Sequence, residues 1–572
     1  MLFNRLKAPA LQRVTVSRFG GLDRRGRGSE GSFLAMENLC SDGDGAMQVR
    51  QRRAVAARLT APGGITDKET LVWVDGHTLY VGGHATGLVL SEGEKQFVSM
   101  GAYLLVFPDK LWVNLRDLSQ FGSMENTVTT QNEVQISLCR SDGTAWEDYL
   151  AAETPPAAPE EEPLWLDLSG SVPVLRQYSE SGWAAAADVC TMLRCAGIGV
   201  GFAAGDGVEI FGCAQEALNG LHVLRLVQDD AIVLGVTAAG DSVQTAAVTV
   251  RRSVPEMDFV TECGNRLWGC KYGLVNGRAV NEIYASKLGD FTNWQCYEGL
   301  STDSYAAARG SDGPFTAAAS YLGTVLFFKD RCIERLYPSA TGAHQVVTMA
   351  CPGAAAGSHG SVCAVEGTLL YLGRDGVYAF DGSLPVVMSR SLGHLRLRNG
   401  VAGALEGKYW LSAADEAGGQ HLLVYDTRRG VWHREDDLSV MGFAVWDGSL
   451  CALATDGTLY DLQGRHGTAE EDVAWMARST ALGLESAWYK YPLRLSLRLR
   501  PAPGATVEAA LSYDDGRTWE TGGSVTGRDT MQAVTLHLRP RRCAQTMLRL
   551  QGRGECVVYA VSAVYEKGSD ET

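Results

Sequence analysis

Residues 315–338 read FTAAASYLGTVLFFKDRCIERLYP, and residues 367–385 read GTLLYLGRDGVYAFDGSLP. Each is a set of short apolar strands divided by Gly-containing turns, with one strand ending near an Asp. The same grammar recurs in MDFVTECGNRLWGCKYG (257–273), NEIYASKLGDFTNW (281–294), GKYWLSAADEAGGQHLLVYDTRRGVWHRED (407–436) and VWDGSLCALATDGTLYDLQG (445–464). GVYAFDGS, LLVYDTRRGVW and GTLYDLQG are variants of one phrase. A recurrence of about 40 residues with several short strands per copy is the pattern of a β-propeller. One blade cannot bury both faces of its own sheet, and stacking blades around an axis removes that difficulty.

Working outward, two similar units precede the repeat. LVWVDGHTLYVGG (71–83) turns at Asp75-Gly76, and QFVSMGAYLLVFPDKLWVNL (96–115) turns at Pro108-Asp109. They are assigned to the same propeller, before an interruption at 127–253. The interruption begins with a hairpin about Asp142-Gly143 and a Pro/Ala/Glu linker, AAETPPAAPEEEP (151–163), too polar to fold alone. WAAAADVCTMLRCAG (183–197) then places Ala185, Val189, Met192, Leu193 and Ala196 on one helical face. Two alternating strand segments follow, so the insert is expected to be α+β.

After residue 470 the period becomes strictly two. LRLSLRLRP (493–501) puts Leu493, Leu495, Leu497 and Leu499 on one face and Arg494, Ser496, Arg498 and Arg500 on the other. Such strands over about 95 residues (474–568) with little helix indicate a β-sandwich. The expected fold is therefore mainly β: a β-propeller with an inserted α+β domain and a C-terminal β-sandwich. Its parts are an N-terminal arm and hairpin (1–60), the first part of the propeller (61–126), the insert (127–253), the second part of the propeller (254–470) and the sandwich with its tail (471–572).

Composition narrows the function. Sixty-six Gly against 17 Pro suits many turns, and 45% hydrophobic with 20% charged residues is ordinary for a folded chain. No run of about 18 apolar residues occurs, so no membrane span is expected, and the N-terminus lacks the apolar core of a signal peptide. Fourteen cysteines are scattered through apolar strands without metal-ligand spacing, as buried reduced thiols are. The net charge of −15 speaks against a dedicated duplex-binding surface. Yet residues 1–53 hold ten Lys/Arg against five Asp/Glu. A basic arm on an acidic body is an interaction segment or a docked strand with ordinary arginines.

Chemical motifs are scarce. Ser512-Tyr513-Asp514-Asp515-Gly516-Arg517-Thr518-Trp519 matches the S-x-D-x-G-x-T-W "Asp box" of sialidase-like propellers. It is a turn device: Asp514 accepts backbone N–H bonds, Gly516 supplies positive φ, and Trp519 packs beneath. Ser512, Asp514, Gly516 and Trp519 are assigned as a structural turn, echoed weakly at 141–146. Asp303, Asp312, Glu334 and Asp375 sit beside turn glycines, and Asp-Gly is turn chemistry first. Gly197–Phe202 is glycine-rich but runs from the expected helix into a strand, the wrong order for a phosphate cradle. His421 and His433 lie in different strands. No catalytic centre, metal site or cofactor is expected, and the chain reads as a non-enzymatic assembly component. A sialidase-like glycan-active propeller is the alternative from another class.

The order of the phrases carries a resemblance. FGGLDRR…FLAMENLCSDGDGAMQVRQRR resembles the opening of tail hub (nozzle) proteins of short-tailed bacteriophages. NRLWGCKYG…NEIYASKLGDFTNW…DGPFTAAASYLGTVLFFKDRCIERLYP resembles their packaged-DNA stabilisation proteins. LSYDDGRTWE…RPRRCAQTMLRLQGRGECVVYAVSAVYE is similar to their closing sandwich. The likeness spans most of the chain except 127–253, and an Arg-Gln-Arg-Arg run stands where a Pro often follows the Arg. It implies a virion tail protein, assembled in the bacterial cytoplasm into a ring, commonly of six copies. The ring would lie on the portal–adaptor beside other tail proteins, extend the DNA channel and help retain packaged DNA, which passes without sequence specificity. Another neck or tail-tip role is the nearest alternative. Arg24, Arg25, Arg27, Arg50, Arg52 and Arg53 are the candidates for contact with a neighbouring copy or with DNA phosphates.

Overall fold

The computed structural model describes residues 11–25, 30–41, 43–160, 163–482, 488–528 and 530–568. Their regular structure is strand, with three 3-10 turns of three residues each and no α-helix.

Seven antiparallel sheets follow one another as blades. Blade 1 is Pro62–Lys68, Thr70–Asp75, Thr78–Val81 and His84–Val89, and blade 2 is Gln96–Met100, Tyr103–Phe107, Leu111–Asn114 and Phe121–Ser123. Blade 3 is Phe259–Glu262, Leu267–Val275, Arg278–Ala285 and Tyr305–Ala308; blade 4 is Phe315–Tyr321, Thr324–Lys329, Cys332–Tyr337 and Gln345–Ala350. Blade 5 is Cys363–Val365, Thr368–Gly373, Gly376–Phe380 and Val386–Val387; blade 6 is Leu397–Leu405, Lys408–Asp415, Gln420–Asp426 and Val431–Arg434. Blade 7 has Val440–Trp446, Ser449–Ala454 and Thr458–Asp461, its fourth strand is Ala54–Arg58 from the N-terminal arm, and the short strand Thr468–Ala469 lies on the far edge of that one. The register there pairs Thr458 with Arg58 and Asp461 with Ala54. The first strand of blade 7 packs against that of blade 1, so the ring closes.

Middle strands are covered on both faces by neighbouring blades. Thr324–Lys329 and Ser449–Ala454 are buried at every position, which is why they read as continuous apolar runs and not as alternation. An apolar cluster fills each gap. Trp268, Cys270 and Ile283 meet Phe315, Val325 and Phe327 between blades 3 and 4. Leu59, Ile65 and Leu71 meet Cys451, Leu453 and Leu459 between blades 7 and 1.

The insert leaves after blade 2 and returns before blade 3. Its larger sheet runs in the order Asn126–Thr129, Thr249–Arg252, Gly207–Phe211, Gly220–Gln228, Ala231–Leu234, Cys190–Arg194, Val134–Cys139, Ser242–Gln244, and a second holds Leu150–Ala152, Leu164–Asp167, Val174–Ser179 and Gly182–Ala185. It encloses its own core of residues such as Ile136, Leu193, Ile210 and Ile232. The helix expected at 183–197 is corrected: Gly182–Ala185 and Cys190–Arg194 are strands, and the insert is all β among the described residues. Cys190–Arg194 pairs on both edges, with Val134–Cys139 and Ala231–Leu234. A short apolar run buried on both faces has no period that separates strand from helix. Thr191 adds a tie suited to a sheet centre, donating to the Val236 carbonyl at 2.7 Å and accepting from Ala238 N at 2.9 Å.

The C-terminal strands build a sandwich that the N-terminal arm completes. One sheet holds Phe33–Glu37, Ala474–Ser479, Met547–Arg553, Thr506–Ser512 and Glu520–Thr526. The other holds Leu39–Ser41, Met47–Val49, Cys556–Lys567, Lys490–Pro501 and Gln532–His537, with Leu11–Val16 also on Cys556–Lys567. Residues 11–58 are therefore spread over the sandwich and blade 7. One apolar cluster runs through sandwich and propeller, joining Phe33, Leu497 and Val561 to Tyr409, Tyr425 and Trp432 of blade 6. Gly21 marks the crossing: its φ is +71°, and a methyl there would lie 2.5 Å from the Trp432 carbonyl oxygen.

Phe327 is fully buried between blades 3 and 4. Phe327→Ala should cost about 3–5 kcal/mol, read as a fall in the thermal unfolding midpoint. An unchanged midpoint would show that the gap clusters are not what holds adjacent blades together.

Candidate functional site

The arginines of the arm meet five acidic residues where blade 6, blade 7 and the sandwich converge. Arg53 is 4% exposed and binds Glu435 and Asp436, each at 2.7 Å. Its backbone N–H donates to Glu470 at 2.7 Å. Arg50 is also buried; it donates to Asn38 Oδ1 at 2.7 Å and pairs with Glu470. Arg52 is half-exposed and binds Asp472 at 2.7 Å, with Glu555 at 3.6 Å. The run thus ties the arm to the end of blade 6, to the exit from blade 7 and to the sandwich.

The guanidinium groups of Arg50, Arg52 and Arg53, the candidates for contact with a neighbour or DNA phosphates, are thus paired within the chain, those of Arg50 and Arg53 in buried positions and that of Arg52 half-exposed. Arg25 pairs with Asp23 at 2.6 Å. Arg24 is exposed, and its backbone N–H donates to Ser391 O at 2.7 Å. Arg27 lies outside the described residues. The acidic partners escaped the sequence reading. Their signal was present in Arg434-Glu435-Asp436 and Ala469-Glu470-Glu471-Asp472, each directly after a blade strand.

Beside the clamp lies a cleft of about 820 Å³, lined by Arg52, Glu406, Lys408, His433, Glu435 and Glu555 among others. His433 is buried; its Nε2 accepts from Ser41 N at 3.2 Å and lies 2.8 Å from Ser41 Oγ. Burial first, then Lys408 and Arg429, lowers its pKa to about 3, so the ring is neutral. Burial opposes the Asp436 carboxylate, but Arg53 and Arg50 outweigh it and hold its pKa below the usual value. The cleft holds both signs of charge, and two of its carboxylates, Glu435 and Glu555, are already paired with arginines.

The remaining candidates stand apart. Asp303 accepts Leu300 N at 2.9 Å in a loop of blade 3. Glu334 is fully buried with Arg309 at 2.7 Å. Asp375 pairs with Arg396 at 3.1 Å on the surface, and Asp312 is exposed. His421 lies 3.0 Å from Asp415 and accepts from Arg434. The Asp-box residues form the hairpin between Thr506–Ser512 and Glu520–Thr526. Ser512 Oγ donates to Asp514 at 2.8 Å and accepts from Gly516 N, whose φ is +83°. Thr518 donates to Asp514 from both N and Oγ1, which lowers the Asp514 pKa to about 2, and Trp519 Nε1 donates to Gly516 O at 3.1 Å. Among the described residues no cluster of three His, Cys, Asp or Glu is arranged to hold a metal, and no helix is long and apolar enough to cross a membrane.

No family model matches this chain, and no curated protein matches it significantly. Solved structures do. An exo-β-1,3-galactanase from Phanerochaete chrysosporium with galactose is 9% identical, with 52% of this chain and 95% of that one covered and a TM-score of 0.21. A structure titled glycoside hydrolase is 12% identical over 53% of this chain and 96% of that one, TM-score 0.20. A mutant of Trypanosoma rangeli sialidase displaying trans-sialidase activity is 10% identical over 98% of this chain and 97% of that one, TM-score 0.21. The expectation of a chain that is not an enzyme is corrected on this finding, since these three structures are titled as enzymes. At such identities and scores the likeness transfers no residue and no activity.

Two outcomes test the clamp. Arg53→Ala should destabilise by about 3 kcal/mol, because it takes the nearer cation from the partly buried Glu435 and Asp436 and leaves them only the more distant Arg50, and Arg52→Ala by less than about 1 kcal/mol. Equal, small effects would show that Arg53 is not an internal tie. His433 binds its proton less readily folded than unfolded. Its stabilising contribution is therefore complete above about pH 6.5 and declines by about 1.4 kcal/mol per unit as pH falls toward 3. Unfolding free energies measured between those limits should slope less in His433→Gln than in the parent.

Proposed function

We propose that this chain is a virion structural protein, the tail hub or nozzle of a bacteriophage. It assembles as a ring of six copies below the portal and adaptor, extends the DNA channel and helps retain packaged DNA. Its place is the virion tail, assembled in the host cytoplasm, and its partners are copies of itself, the adaptor and other tail proteins.

The single observation that carries this reading is a coincidence of boundaries. The phrases that resemble tail hubs fall on the arm, the propeller and the sandwich, which share continuous packing. The stretch without resemblance, 127–253, has a core of its own. The resemblance thus covers a physical unit and skips an accessory one.

Surface chemistry supports a large protein contact. In an antiparallel blade the turns after the first and third strands share one face of the ring. On that face of blades 3, 4 and 5, Tyr297, Leu300, Leu322, Tyr337, Leu384 and Val386 are all exposed. Their loops touch: a methyl on Gly342 would sit 2.9 Å from Ser301 Cα, and Arg335 donates to Gly382 O at 2.8 Å. Leu322 is 64% exposed and has a φ of +48°. A leucine there has neither burial nor backbone preference in its favour, and the equivalent turns of blades 5, 6 and 7 carry Glu366, Glu406 and Asp447. Contiguous exposed apolar residues of this kind mark an interaction surface.

Negative-stain microscopy of the purified protein tests the reading. Six-fold rings are expected at high concentration, and Leu322→Asp with Leu384→Asp should leave single copies with an unchanged thermal midpoint. A chain that stays monomeric at all concentrations, alone and with adaptor, would overturn the proposal. Rings found at the distal end of a long tail would move it to a tail-tip role.

A further inference from the structure

The outer face of the larger sandwich sheet carries three rows of side chains that nothing else in the chain uses. Across the strands Leu11–Val16, Cys556–Lys567, Lys490–Pro501 and Gln532–His537, one row is Arg13, Val564, Arg494 and His537. The next row is Thr15, Ser562, Ser496 and Thr535. The third is Ala560, Arg498 and Ala533. The leucines of Lys490–Pro501 point the other way, into the core, so the arginines of that strand project outward.

Arg13, Arg494 and Arg498 are exposed, and none has an ion pair or side-chain hydrogen bond among the described residues. Glu566, opposite Leu11 and Tyr491, is the acid at the margin of these rows. The hydroxyl row is pre-aligned, with Thr15 Oγ1 2.9 Å from Ser562 Oγ and Ser496 Oγ 3.3 Å from Thr535 Oγ1. Each pair uses one donor between its members, which leaves the other hydroxyl hydrogen for an outside acceptor.

We propose that this face binds the phosphate backbone of duplex nucleic acid, without sequence preference. Its chemistry is that of backbone contact: spaced guanidinium groups with hydroxyl donors between them. Arg494 and Arg498 stand about 13 Å apart along their strand, and Arg13 and Arg494 about 10 Å apart across two strand spacings. A face with that spacing meets several phosphates of a rod that carries one charge per about 1.7 Å of axis. A protein partner is the poorer fit, because the three rows carry no Trp, Tyr, Phe, Met or Leu to serve as a buried anchor, and Leu11 and Tyr491 stand only at their margin with Glu566. The net charge of −15 conceals the patch, since the acids lie elsewhere. The inference does not rest on ring formation: a monomeric protein could bind duplex here, and a ring could form without it.

The test is fluorescence anisotropy of the full chain with a labelled random-sequence DNA duplex across a salt series. Three phosphate contacts predict a log–log salt slope of about −2.7, or a loss of affinity on the order of forty-fold between about 50 and 200 mM salt. The triple variant Arg13→Gln, Arg494→Gln, Arg498→Gln should retain its thermal midpoint and lose most of that slope. A control changing Arg331, Arg390 and Arg398 of the propeller to Gln should bind as the parent does. Absence of duplex binding by the parent, equal slopes in parent and triple variant, or equal loss in the control would each overturn the proposal. So would tight binding of a sulfated glycan with none of duplex, which would assign the face to a different polyanion. Loss of self-association by the triple variant in the absence of DNA would assign it to a protein.

Discussion

The pairing of Ala54–Arg58 with Thr458–Asp461 is the contact on which the rest of the molecule depends. A row of blades has two raw edges, and each end blade would leave one sheet face in water. Bringing the two ends of the row together removes both edges. The cost is a loop closure across about 400 residues, which grows only logarithmically with length. What repays it is local: the ladder itself, the apolar gap between blades 7 and 1, and the buried ion pairs of Arg50 and Arg53. The same arm strands also finish the sandwich, so propeller and sandwich stand on one piece of chain.

That arrangement explains the use made of the arm's charge. A buried guanidinium is tolerable only with carboxylates at hydrogen-bonding distance. Glu435, Asp436 and Glu470 lie directly beyond the last strands of blades 6 and 7, where the arm must pass. The basic run is therefore a seam, and the exposed cations of the outer sandwich face are a separate population. Net charge sums both and distinguishes neither.

Much of the fold was legible. The propeller followed from apolar strands punctuated by Gly turns, because a blade repeats one burial pattern. The sandwich followed from the strict alternation at 493–501, because one face of that strand meets a core and the other meets water. The helix at 183–197 failed for the converse reason: Cys190–Arg194 is buried on both faces, and burial without alternation carries no period. The Asp-box turn was legible because its hydrogen bonds span at most four residues, from Ser512 to Gly516 and from Asp514 to Thr518. The clamp was not, because Arg53 and its partners are separated by more than 380 residues.

The residues by themselves determined the class of fold, the turns and which faces of each strand would be dry, since all of these depend on neighbours one to four positions away. Only the tertiary structure decided that there are seven blades, that the N-terminal arm closes them, and which arginines are consumed by carboxylates and which remain open to solvent. Those outcomes are set by pairing between distant segments, and no local pattern of side chains encodes the partner of an edge strand or of a charge.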